Sequence, residues 1–220
     1  MSDHIYLPVS LGEAIDKLTI LDIKLDKIKD DRRLDVQKEY DLLYEKLNDF
    51  LLKYNDLYQS MKKVNLLIWD MMDILRDGET SAEEYLRICK ECIEYNDIRF
   101  RVKNKINYIS KSSLKEQKSY KVNRLYIEIN DNIENFADFV RPIKYYSFFY
   151  DEVIILNKNR VNSILNDMFT YDPTIIFKSM IDGNIDCKKQ FIFEKDFYTC
   201  DEVFLKFELN DDIIQTIICH

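Results

Sequence analysis

The chain has 220 residues, 46% of them hydrophobic and 13% aromatic, enough apolar material for one or two folded cores and too much for a disordered or fibrous polypeptide. Its net charge of −8 is unevenly placed: Leu125 to His220 holds 17 Asp/Glu against 9 Lys/Arg, and the preceding residues balance. That acidity excludes a nucleic-acid surface in the second half, because phosphates would be repelled.

Three Gly and three Pro are few for this length, which argues for long elements and few tight turns. No apolar run approaches the ~18 residues of a membrane span, and Met1 to Ser10 has neither the cationic nor the apolar region of a signal peptide. The five cysteines are scattered and odd in number, so free thiols are expected. These features together predict a cytoplasmic protein, with no membrane or nucleic-acid partner.

Ile5 to Val9 reads as a short extended lead-in. Ser10 and Glu13 have capping-box spacing, which starts a helix in which Leu11, Ala14, Leu18, Leu21, Leu25 and Ile28 alternate three and four apart. Ile15, Ile20 and Ile23 widen its apolar surface beyond a two-helix seam, so this helix is expected to have several neighbours. Lys29 to Arg33 is the expected reversal into an antiparallel partner.

From Val36 the series Tyr40, Leu43, Leu47, Phe50, Tyr54, Leu57, Met61, Val64 and Ile68 keeps the four-three alternation. No Gly or Pro interrupts it, and the spacing predicts one helix from about Arg33 to Arg76, roughly 65 Å at 1.5 Å per residue. Gly78 ends it, and Thr80 or Ser81 with Glu83 or Glu84 caps the next helix. There Ile88, Cys92, Tyr95, Arg99, Val102, Ile106 and Ile109 form the seam.

Past Lys111 to Asn123 the pattern changes to short β-branched and aromatic runs. Leu125–Ile129, Val153–Leu156 and Thr174–Phe177 read as strands, and Ile133–Phe149 and Arg160–Phe169 as helices between them. Strand-helix alternation of this kind predicts a parallel sheet with crossovers. Phe191–Phe193, Val203–Phe207 and Ile213–Ile218 are further strand or helix candidates. The expected fold class is thus α+β and multidomain: an antiparallel three-helix, coiled-coil-like bundle over 1–110 with one long helix, a basic connector over 111–124, and a small Rossmann-like α/β lobe with a mostly parallel sheet over 125–220.

The stretches Val9 to Lys24, Trp69-Asp70, Asn96 to Asn104 and Lys115 to Tyr120 carry a likeness to a known family. They resemble the uncharacterised helical domain of unknown function 6165, found in bacteria and in large DNA viruses of amoebae, often near or fused to sugar-transfer enzymes. The likeness implies an ancillary helical domain with no assigned reaction, in the host cytoplasm where the protein is viral. From Leu125 onward the chain is similar to the opening half of a GT-B glycosyltransferase domain. Where such domains place a Gly-rich turn after the first strand, this chain has Asn130, Asp131 and Asn132, and a truncated lobe without the second nucleotide-binding half is expected.

Antiparallel pairing around the two reversals brings Glu13, Asp16 and Lys17 of the first helix towards Asn96, Asp97, Arg99 and Lys103 of the last. Arg99 at a seam position is informative, because a buried guanidinium requires carboxylate partners. The group is either an ion-pair network that fixes register or a ligand or partner site. From Arg99 to Arg124 nine Lys/Arg, Lys115 and Lys118 among them, accompany a single acid, Glu116. That strip suits docking on the acidic half, an anion such as a nucleotide-sugar phosphate, or, least of the three, a nucleic-acid backbone.

Other clusters read as packing or solvated surface: Asp70, Asp73 and Asp77 beside Trp69, the mid-helix pair Cys89 and Cys92, and the terminal Cys219-His220. No cofactor or metal is implied, and two histidines build no nucleophile–base–acid arrangement. The functional expectation is a non-catalytic interaction or scaffold protein of glycan-processing machinery, partnered by another protein or by a second copy. The alternative is a small or half-size glycosyltransferase that uses a nucleotide sugar, with Asn130–Asn132, Lys115 and Lys118 at its site.

Overall fold

The computed structural model describes residues 6–119, 122–129, 140, 143–157, 167–169, 172–179 and 190–193. The chain divides into two compact units, Met1–Gln117 and Lys118–His220.

The first unit holds four helices: α1 (Leu11–Lys27), α2 (Arg32–Lys53), α3 (Asn55–Asp77) and α4 (Ala82–Ile109). Four replace the expected three because the long helix breaks at Tyr54, whose φ of −132° and ψ of 44° leave the helical region. Asn55 and Asp56 follow at once, residue types whose short polar side chains compete with helical backbone bonds. The four-three apolar series therefore runs across two helices.

The unit is organised around the shortest helix, α1, which packs against α2, α3 and α4. Ile15, Leu18, Leu21 and Ile23 are completely or almost completely buried, each stabilising the fold by about 1.5–3 kcal/mol. Met61 and Val64 of α3 and Ile88, Ile98, Val102 and Ile106 of α4 are also buried. On α2 only Leu47 and Leu51 are buried, while Leu34, Leu42 and Leu52 are exposed.

The ends follow ordinary capping chemistry. Ser10 Oγ accepts from the Glu13 N–H at 3.2 Å, and Ser81 Oγ from the Glu84 N–H at 3.2 Å. Gly78 closes α3 with a φ of 72°, a left-handed conformation that costs a residue with a Cβ. At the end of α4, Ser112 N–H reaches Asn107 O at 2.9 Å and Lys111 N–H reaches Tyr108 O at 3.1 Å. This is a Schellman closure in which Lys111, at a φ of 54°, occupies the place usually taken by glycine. It turns the segment that contains Glu116 back beside the last turns of α4.

The second unit contains a four-stranded parallel sheet in the order β3-β2-β1-β4, with β1 (Arg124–Ile129), β2 (Glu152–Asn157), β3 (Ile175–Lys178) and β4 (Gln190–Phe193). Val153, Ile154, Ile155 and Leu156 are all buried, as a central parallel strand requires. Leu125, Ile127, Val153 and Ile155 share one face with Ile143, Tyr146 and Phe169; Tyr126, Ile154 and Leu156 share the other. The register Arg124↔Glu152 is marked by an Arg124 Nε to Glu152 Oε2 ion pair at 2.6 Å. The candidate strands Val203–Phe207 and Ile213–Ile218 lie outside the described residues, as does nearly all of the expected helix Arg160–Phe169. Residues 143–146, within the expected Ile133–Phe149, are helical.

Candidate functional site

The N-terminal half of α1 passes between α3 and α4, and its polar side chains meet theirs there. Asp16, with 4% of its side chain exposed, receives Arg99 Nε at 3.0 and 3.1 Å on its two carboxylate oxygens and Arg99 Nη2 at 2.8 Å. The same carboxylate accepts from Asn65 Nδ2 at 2.8 Å, and that nitrogen also reaches Thr19 Oγ1 at 2.8 Å. Thr19 donates in turn to the Asp16 carbonyl at 2.8 Å. A buried carboxylate is thereby given both a bidentate counter-charge and a neutral donor.

One turn further towards the end of α4, Lys103 Nζ lies 2.6 Å from Glu13 Oε1 and also pairs with Glu116. Burial alone opposes charge on Lys103, but hydrogen bonds to Glu116 and Glu13 and their charges outweigh it, so its pKa is raised. What the Glu13 carboxylate holds is therefore Lys103, although the capping-box spacing directs it to its own helix start.

Next along, Gly12 N–H donates to Asn107 Oδ1 at 2.8 Å. A Cβ on Gly12 would lie 2.6 Å from the Lys103 carbonyl oxygen, so only glycine allows α1 and α4 to approach this closely. The pairs 12 with 107, 13 with 103 and 16 with 99 fix the two helices antiparallel.

Lys17 points elsewhere, to Glu39 of α2 at 2.6 Å on the surface. Asp97 is half-buried on α4, and Asn96 is exposed. The basic strip is not one surface: Arg101, Lys103 and Lys105 are buried, Arg99 faces Asp16 and Arg124 faces Glu152. Lys115 is exposed and Lys118 half-buried beyond the helix. Asn130, Asp131 and Asn132 lie outside the described residues.

A second polar group lies between α1, α2 and α3. Tyr58 Oη donates to Asp22 Oδ2 at 2.6 Å, and Lys62 Nζ is 2.8 Å from the same oxygen and 3.5 Å from Asp26. Burial, then the hydrogen bond to Asp22, push the Tyr58 phenol far above its ordinary value. Asp70 pairs with Lys27 at 2.7 Å and Asp73 with Arg76 at 3.6 Å, and among the described residues no three His, Cys, Asp or Glu side chains converge on a metal-sized position. Cys89 and Cys92 are free thiols, and burial raises the Cys92 pKa.

Sequence reasoning missed Gly12, Thr19, Asn65 and Asn107, and it took Glu116 only as the lone acid of the basic strip, not as a partner of Lys103. Gly12 was detectable, since a glycine in the first turn of a helix, in so glycine-poor a chain, points to a close backbone approach. Asn65 and Asn107 each follow a seam residue, Val64 and Ile106, which places them at the edge of the buried stripe.

Among the described residues no helix is long and apolar enough to cross a membrane. No curated protein and no solved structure matches the chain. A family model does match, over residues 5–127, a span that includes all four helices, both polar groups and β1 except its last two residues. On that match, which covers more than half its length, the chain belongs to the family of unknown function DUF6165.

Proposed function

We propose that the protein is an interaction or scaffold module, non-catalytic by itself, that serves glycan-processing machinery in the cytoplasm. The observation that carries this reading is the mutual satisfaction of the charged groups between α1, α3 and α4. Asp16 is held by Arg99 and Asn65, and Lys103 by Glu13 and Glu116, in an arrangement that fixes how three helices sit. A carboxylate poised for proton transfer or a cation poised for phosphate would need an unfilled side towards a cleft. The glycan association is supported by the likeness of Val9–Lys24 and Asn96–Asn104 to domains that accompany sugar-transfer enzymes. Coiled-coil-like packing of the helices belongs to the same reading, supported by the four-three seams.

The alternative is a half-size glycosyltransferase, favoured by one observation. In the order β3-β2-β1-β4 the chain moves outward from β1 in one direction and returns to its other side with β4. Open parallel sheets of Rossmann-like type bind ligands beside the carboxyl ends of strands at such a reversal. Asn130–Asn132 directly follow β1 in the sequence. Thermal melting of the full chain with uridine, guanosine and thymidine sugars separates the two. The interaction reading expects unchanged melting temperatures, whereas ligand at 100 times its dissociation constant would add about 2.7 kcal/mol of stability.

A further inference from the structure

The face of α4 turned away from the core carries a second seam. Ala82, Leu86, Cys89, Ile93, Asn96 and Phe100 follow one another at four, three, four, three and four residues, with one polar member. This is the 3.5-residue spacing that lets a helix accept a partner along its length. The inner seam runs through Ile88, Tyr95, Ile98, Val102 and Ile106, all buried. On the outer one Leu86 is 56% and Ile93 65% exposed, and Cys89 and Phe100 are half-buried. Isolated exposed leucines are ordinary; a periodic exposed row on a helix already packed by its other face is a surface prepared for another helix.

The surrounding charge selects the partner. From Ala82 to Phe100, α4 carries five Asp/Glu and three Lys/Arg; Arg87 is engaged by Glu84 and Glu91 on its own helix and Arg99 by Asp16 of α1. Burial and the neighbouring Glu91 and Asp97 carboxylates raise the Glu94 pKa, a sign of the negative potential along α4. Two copies joined along this seam would oppose acid with acid, whereas a helix with leucines on one side and lysines or arginines beside them would match both features.

We infer that the outer seam of α4, from Ala82 to Phe100, docks a cationic amphipathic helix of another protein. This rests on the interaction reading and names the chemistry of the partner. Helix-in-groove recognition by apolar anchors at i, i+3, i+4 and i+7 is the physical precedent.

The test is calorimetric titration of the full chain with a 21-residue Leu/Lys/Ala peptide whose leucines repeat at three and four, against its Leu/Glu/Ala counterpart. The expected result is one-to-one binding of the lysine peptide, at least tenfold weaker for the glutamate peptide. Leu86→Ser/Ile93→Ser should weaken it at least tenfold too. Those substitutions leave net charge unchanged, so diffuse attraction of a basic peptide would survive them, and an unchanged circular-dichroism melt verifies that the variant is folded. Absence of binding, equal binding of the two peptides, or full binding by the variant would overturn the proposal. So would a wild-type dimer, seen in sedimentation, that the double variant dissolves, because a second copy would then occupy the seam. A negative peptide result with melting unmoved by nucleotide sugars overturns this surface alone, while stabilisation by a nucleotide sugar overturns the interaction reading itself.

Discussion

Arg99 and Asp16, 83 residues apart in sequence, meet with Arg99 Nε 3.0 and 3.1 Å from the two carboxylate oxygens and Nη2 2.8 Å from Oδ2. One ion pair thus ties the first helix of the unit to its last. Arg99→Met leaves Asp16 buried with Asn65 but no counter-charge. Losing one partner of a buried pair costs about 3–5 kcal/mol, and because Arg99 is 27% exposed the lower end is expected. Asp16→Leu combined with Arg99→Met should recover part of that loss, with a coupling on the order of 1–3 kcal/mol in urea unfolding of the four-member cycle.

Gly12→Ala forces a methyl to 2.6 Å from a backbone oxygen, where no flexible side-chain end can yield. Helix α1 must shift away from α4, with a loss of about 1–3 kcal/mol. The urea midpoint measures the loss. The Lys103–Glu13 pair is stretched by the same movement, so Lys103→Met should cost less in the Gly12→Ala background than in the wild type.

Lys111→Gly should stabilise. Lys111 holds a left-handed conformation with a φ of 54°, which an L side chain adopts at a cost that glycine avoids. A gain of up to about 1 kcal/mol is expected, and a matching loss of about 1 kcal/mol for Gly78→Ala at the end of α3. Opposite signs in thermal melting of the two variants are the check.

The pH dependence lies on the alkaline side. Lys103, Lys62 and Tyr58 all have folded pKa values above their ordinary ones, and burial, with smaller contributions from Glu91 and Glu94, pushes Tyr95 up to about 12. Groups raised in the folded state bind more protons there than in the unfolded chain once pH exceeds the unfolded value. Their stabilisation is complete below about pH 10 and is lost as pH rises through the folded values. Urea midpoints should fall above pH 10, and Tyr58→Phe should reduce the slope.

Much of this was legible in the sequence, and the rest was hidden for identifiable reasons. Antiparallel counting around the reversals near Asp31 and Gly78 brings Glu13 and Asp16 to Lys103 and Arg99, because helical rise is regular and the reversals are short. The strands were legible too, from β-branched runs such as Val153–Leu156. The break at Tyr54 was not, since the apolar series continues through it and only the Asn55-Asp56 pair marks the site. Lys17 was misdirected because a seam assigns a face, and at that level a surface lysine of α1 reaches α2 more readily than α4. The basic strip misled because charge was counted along the chain, whereas Arg101, Lys103 and Lys105 are buried in the fold.

Melting of the full chain with a saturating nucleotide sugar, in wild type and in Arg99→Met, tests the structural role of the Asp16–Arg99 cluster most directly. If the cluster only holds helices together, any shift caused by a sugar nucleotide is the same in wild type and in Arg99→Met, and Arg99→Met lowers the melting temperature with or without ligand. A rise with one nucleotide sugar that disappears in Arg99→Met would contradict that role and make the cluster a ligand site.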